Sequence, residues 1–171
     1  MSTVKELQIR TTAYFDNAMS VLEMDVAPNT GNPKHYHTLF EETFEVLEGE
    51  LCIGMDKMTS ILRPGQSITV PIRSVHFFKN KTEQNCRIRI SLSPGNTDFE
   101  DAMNIYYGLK KEGQVSKSGV PKKLSDLALF IKLNNSKMPG LGSLVGGLLN
   151  LIANRAIKNG RLENLRNRYT L

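Results

Sequence analysis

Cysteine is scarce in this chain of 171 residues: Cys52 and Cys86 are the two present, and they lack C-x-x-C spacing. Both read as small buried hydrophobes and not as a redox pair. The opening Met1-Ser2-Thr3-Val4-Lys5-Glu6 has no apolar signal core, so the expected compartment is a reducing cytoplasm. No G-x-G-x-x-G follows a strand and no Walker loop occurs, which removes the phosphate cradle that dinucleotide redox and nucleotide hydrolysis need. A G-x-S-x-G elbow is missing too, and a triad built on His76 would leave the pair His35 and His37 unexplained. The formal charge of +5, with a pI near 9.2, is a mild excess that speaks of solubility and anionic partners and not of fold. The basic C-terminal end has neither interleaved aromatics nor a recognisable reading helix, so no nucleic-acid partner is expected. Long hydrophobic runs are absent as well. The apolar stretch after Leu141 falls short of the ~18 to 20 residues of a spanning helix, and Asn150, Asn154 and Arg155 interrupt it.

Histidine is also rare, and its placement is informative. Of three in the chain, His35 and His37 are separated by one residue and the third is His76. In an extended strand alternate side chains share a face, so His35 and His37 project together while Tyr36 points away. After Thr38, Leu39 and Phe40, the run Glu42, Phe44, Val46 repeats the two-residue period and places the Glu42 carboxylate on the inward face of the next strand. A third ligand thus joins a two-imidazole chelate.

The spacing His35-x-His37, four residues, Glu42, six residues, Gly49 resembles the first motif of the cupin superfamily. Gly65, five residues, Pro71, then His76 and Asn80 is similar to the second. The resemblance covers roughly residues 20 to 95. It implies that His35, His37, Glu42 and His76 are metal ligands, and it selects a mainly β fold, the double-stranded β-helix or jelly-roll barrel. Two positions depart from the pattern: the leading glycine is Gly31, closer than usual to His35, and Arg73 stands where a glycine usually follows the motif's proline.

Taken in order, residues 7 to 27 alternate loosely, with Leu22, Met24 and Val26 on one side and Glu23 and Asp25 on the other. Residues 28 to 33 are rich in Pro, Asn and Gly and read as a loop. Glu48-Gly49-Glu50 is a hairpin signal, with further turns at Met55-Asp56-Lys57 and Arg63-Pro64-Gly65. Beyond Ile68 and Val70, His76 and Phe78 share a face, and Cys86, Ile88, Ile90 and Leu92 alternate with Arg87, Arg89 and Ser91. Short strands between such turns predict an antiparallel barrel or sandwich. From Thr97 the texture becomes helical. Thr97 and Glu100 form a capping-box pattern, Phe99, Met103 and Tyr106 recur at helical spacing, and Gln114 to Gly119 is a polar linker. Pro121 is placed to open a second helix striped by Leu124, Leu127, Ala128 and Ile131, and Leu141 to about Arg168 forms a last segment with a basic end. The expected division is a barrel domain, 1–96, followed by a helical extension, 97–171.

Three neutral imidazoles and one carboxylate suit Fe(II), Mn(II), Ni(II), Cu(II) or Zn(II) without choosing among them. A divalent ion so held keeps a net positive charge of about one and open positions for ligands, which favours enolates, phenolates and carboxylates. The resulting expectation is a mononuclear metal-dependent enzyme, a quercetinase-like oxygenase acting on a small molecule, with Glu42 also shuttling a proton. Phe44 and Phe78 are candidates to line a ligand cavity, and Arg73 to hold an anionic substrate. Glu41 and Glu45 read as solvated charges. The competing expectation is a non-catalytic binding or sensing module whose C-terminal helices mediate assembly. For the last segment, Gly142 and Gly146 and the flanking apolar residues point to docking on the barrel or across a homodimer interface, with attachment to an anionic membrane surface as the alternative.

Overall fold

The structure, a computed structural model, describes residues 7–13, 18–140 and 142–170. Leu141, where the last helical segment was placed to begin, lies outside the described residues. The chain divides into two compact units, one ending at Thr97 and the other starting at Asp98.

The first unit is built from β1 (Gln8–Thr11), β2 (Ser20–Val26), β3 (Glu41–Glu48), β4 (Leu51–Met55), β5 (Met58–Leu62), β6 (Ser67–Val70), β7 (His76–Lys79) and β8 (Cys86–Ser93). They form two antiparallel sheets, of order β1-β2-β8-β3-β6 and β5-β4-β7. The chain crosses between sheets after β3, β5, β6 and β7. Isolated bridges from Gly31 to Lys79 and from His35 to His76 lay the segment before β3 along the free edge of β7. The alternation in the sequence sets which side chains meet: Glu42, Phe44 and Val46 of β3 and Cys86, Ile88, Ile90 and Leu92 of β8 are all buried. Apart from Glu42 these are apolar, and with Leu22, Leu51 and Ile53 they supply buried apolar side chains from both sheets.

Two readings of the strands change. Glu48-Gly49-Glu50 is not a hairpin, because β3 and β4 belong to different sheets; Gly49, at φ +83°, turns a corner between them. The turn signal is local, whereas the choice of partner strand is tertiary. Glu45, read as a solvated charge, is ion-paired, and it shares its arginine with Glu23. On the outer face of β2, β8 and β3, Glu23 accepts from Arg10 (2.8 Å), Arg87 (3.0 Å) and Arg89 (2.9 Å), and Arg89 reaches Glu45 at 2.8 Å. Burial tends to raise the Glu23 carboxyl, but the Arg10 hydrogen bond outweighs it, with Arg89 and Arg87 adding to the effect, and the group falls to about 2.

The second unit holds α1 (Thr97–Lys111, apart from its first residue), α2 (Leu124–Leu133), α3 (Gly142–Lys158) and α4 (Arg161–Tyr169). Ala102, Ile105, Leu109, Ala128, Leu129, Leu133, Leu149, Ala153, Ala156, Leu162 and Leu165 form its core. The last segment is two helices and not one, since Gly160 at φ +75° breaks it. Pro121 does not open α2; it bridges to Val115 and folds the polar linker into a small loop. The buried side of α2 is Asp126, Ala128, Leu129 and Leu133, while Leu124 is exposed. This helix is apolar nearly all round, so period alone could not orient it, and Asp126 is buried because Arg161 donates to both its oxygens, at 2.9 and 2.7 Å.

Candidate metal centre

Each member of the cluster arrives from a separate piece of chain. The His35–His37 segment runs beside β7, Glu42 is the first inward residue of β3, and His76 opens β7. Reciprocal backbone bonds between His35 and His76, at 2.9 and 2.8 Å, lock the first segment onto β7. A third bond, from the Arg73 N–H to the His37 carbonyl at 2.8 Å, ties the turn before β7 to His37, with Arg73 held at φ +69°. Glu42 lies across from Val70 on β6 and Leu92 on β8, both buried and apolar.

The four side chains meet at their tips. His35 Nε2 stands 3.1 Å from His37 Nε2, His37 Nε2 is 3.4 Å from Glu42 Oε2, and His76 Nε2 is 3.0 Å from the same oxygen. One donor atom from each lies within 4.8 Å of all the others, and every one of the four residues is buried. His35 Nδ1 donates to the Pro33 carbonyl at 2.9 Å and His76 Nδ1 to the Ser74 carbonyl at 3.0 Å. With the proton on the far nitrogen, the neutral imidazole turns an Nε2 lone pair inward. Burial, helped by the nearby His76, pushes His35 down to about 4, which keeps that lone pair available at neutral pH. Burial would also lower His76, but the Glu42 carboxylate facing it more than compensates and raises it. For Glu42 the order is the same: burial would raise the carboxyl, and the contacts with His37 and His76 hold it at about 2.

An anionic oxygen and inward lone pairs at such separations repel unless a positive charge sits among them. The observed spacings of 3.0 to 3.4 Å also match a common ion, because neighbouring ligands about 2.1 Å from one metal stand roughly 3.0 to 3.4 Å apart. The donor set therefore fits a divalent transition metal, with His35, His37, Glu42 and His76 able to hold it.

Around the cluster the walls are aromatic. Phe40 packs on His37 with ring centroids 4.7 Å apart, Phe44 lies 6.1 Å from His76, and Phe78 lies 5.8 Å from Phe44. Phe40 and Phe44 are fully buried and Phe78 is half-buried. Arg73 stands apart from the four: its side chain is exposed, and its backbone amide makes the contact with the site. Sequence reasoning found the four converging groups and missed the carbonyls of Pro33 and Ser74 that orient two of them. The one available signal was positional, since each carbonyl lies two residues before the imidazole it holds. Asn80 serves the frame: its amide donates to the Val26 and Gln84 carbonyls at 3.0 and 2.7 Å and anchors the loop between β7 and β8.

A stretch of 61 residues is 38% identical to the polyketide synthase CurC of Streptomyces cyaneus, covering 36% of this chain and 40% of that protein. A longer stretch of 99 residues is 32% identical to germin-like protein 2-2 of Oryza sativa subsp. japonica, covering 54% and 44%. The chain thus spans less than half the length of these curated relatives. Among solved structures, an RmlC-like cupin from Shewanella frigidimarina NCIMB 400 is similar at 20% identity and a TM-score of 0.48, over 54% of this chain and 78% of that one. Residues 22–93 match the family model of the cupin domain, a stretch that holds β3 to β8 entire and all four converging side chains, and it is this part of the chain that carries the likeness to cupins.

Proposed function

We propose that the protein is a mononuclear metal-dependent enzyme of the small-molecule oxygenase type, acting on an enolic, phenolic or carboxylate substrate. The observation behind this reading is the complete donor set: three imidazole nitrogens and one carboxylate oxygen converge in a buried aromatic setting, all from the barrel unit. A divalent transition-metal ion bound there would supply Lewis acidity and open coordination positions. His35 and His76 are held by Pro33 and Ser74 in the tautomer that presents Nε2, so no rearrangement is needed for them to act as ligands. Glu42 is the one carboxylate of the set and the group able to take a proton from an enol or phenol hydroxyl, through an oxygen other than the Oε2 that faces His76. Phe40, Phe44 and Phe78 exclude water and offer flat apolar surface to a planar substrate. Arg73, with its exposed guanidinium on the turn leading to His76, is the candidate partner for an anionic substrate group. The likeness to a Streptomyces protein named as a polyketide synthase supports this substrate class, since polyketides carry enolisable and phenolic oxygens.

Elemental analysis of the protein as isolated, followed by oxygen uptake with a panel of enolic and phenolic compounds, tests the proposal. Stoichiometric metal and substrate-dependent oxygen consumption are expected. Metal with tight ligand binding but no turnover would favour the binding or sensing reading instead, and failure to take up any transition metal on reconstitution would overturn both. In parallel, His37→Ala should cut metal affinity by more than the roughly 10- to 100-fold that losing a supporting partner costs, while circular dichroism shows an intact barrel.

A further inference from the structure

We infer that the outer face of α3 docks onto an anionic phospholipid membrane surface. The helix has two unlike sides. Leu149, Ala153 and Ala156 are buried in the core of the helical unit, whereas Leu144, Val145, Leu148 and Leu151 are each more than half exposed. Positions 144, 148, 151, 155 and 158 follow alternating steps of four and three residues, so they form a single stripe along the helix. Three leucines begin that stripe, and Arg155 and Lys158 end it. Where it changes character there is a shallow open groove lined by Leu151, Ile152, Asn154, Arg155 and Lys158.

Charge decides what can cover such a face. From Asp98 onward the chain carries twelve Lys and Arg against six Asp and Glu, a net +6; up to Thr97 it carries ten against eleven, a net −1. The whole positive excess of the protein therefore belongs to the helical unit. Within that unit Arg161, Arg166 and Arg168 are matched by Asp126, by Asp98 and Asp101, and by Glu112. Arg155 and Lys158 make no ion pair with any described residue. A second copy of the chain would bring a unit of the same sign against this one, and an uncharged apolar partner would bury two cations without compensation. An anionic bilayer surface meets both demands, with acyl chains for the leucines and headgroup phosphates for the two cations. No described helix is long and apolar enough to cross a membrane, so α3 would lie in the plane of the interface.

Co-sedimentation of the full chain with phosphatidylcholine vesicles, made with and without phosphatidylserine, tests this. Binding is expected to the phosphatidylserine vesicles and to weaken with added salt. Replacing both cations, Arg155→Gln with Lys158→Gln, should lower the partition about 25-fold, at roughly fivefold per basic residue near the surface. Leu148→Asp should abolish binding with circular dichroism and bound metal unchanged, and Leu148→Ser provides a milder version should the aspartate disturb the helix. Equal binding to pure phosphatidylcholine would overturn the inference. So would a protein that ignores both vesicles, or one that sediments as a dimer split by Leu148→Asp, which would identify a second copy as the occupant.

Discussion

The two units solve the problem of polar and apolar groups in opposite ways. The barrel unit buries three histidines and a glutamate at its centre and pays for them with one another's company. The helical unit also buries acidic groups, Asp101 and Asp126, but it answers each with an arginine from α4 and leaves an apolar stripe of α3 outside. At the histidine cluster of the first unit charge gathers inward where a cation can join it, while buried Glu23 on its outer face is paired with arginines. In the second, Asp101 and Asp126 are already neutralised by arginines and the surplus positive charge stays on the surface. A buried acid is therefore informative only with its partners: Asp126 beside Arg161 is architecture, and Glu42 among inward lone pairs is a ligand site.

The contrast can be broken most sharply by truncating one leucine in each unit. Leu92→Ala, at a fully buried position of β8, should cost about 2 to 5 kcal/mol in denaturant unfolding, whereas Leu148→Ala on the open face of α3 should stay within about 0.5 kcal/mol. Comparable losses at both sites would mean that the α3 face is covered after all.

Next in size is the acid response of the barrel's outer ion cluster. The folded-state pKa of Glu23 is depressed from 4.5 to about 2, so its contribution is fully present above about 4.5 and is lost as pH falls toward 2. The magnitude is on the order of 3 kcal/mol. Unfolding measured across this window should show a steeper acid loss for the native chain than for Glu23→Gln, and coincident profiles would remove the cluster from the stability account.

Smallest is the relief of backbone strain before β7. Arg73 sits at φ +69°, a conformation costly for a side chain and free for glycine. Arg73→Gly should leave stability unchanged or raise it by up to about 1 kcal/mol, because the strain removed is partly offset by unfolded-chain entropy. Metal content should not change, since the N–H that reaches the His37 carbonyl is retained.

Much of the barrel was legible because its signals have a period of two and a buried side to match. Glu42, Phe44 and Val46, and Cys86, Ile88, Ile90 and Leu92, were assigned to one face from alternation alone, and they are buried. His35 and His37 shared a face for the same reason. The helical unit was less legible. On α2 apolar residues surround the helix, so the stripe through Leu124 competed with the one through Leu129 and lost to packing around Asp126 and Arg161. Glu23 and Glu45 were placed on the correct face, yet their neighbours on β8 are 44 to 66 residues away in the chain, beyond the reach of any local rule.

By itself the sequence determined which side chains within one extended segment can face the same way: the His35-x-His37 spacing gives the two imidazoles a shared side, and the alternation of Glu42, Phe44 and Val46 does the same along β3, because backbone pleating allows no other. Only the tertiary structure decided that the three segments close on one point. It also turned the Nδ1–H groups of His35 and His76 toward the accepting carbonyls of Pro33 and Ser74, and it left the α3 leucines outside, because partner strands and helix neighbours are chosen by long-range packing.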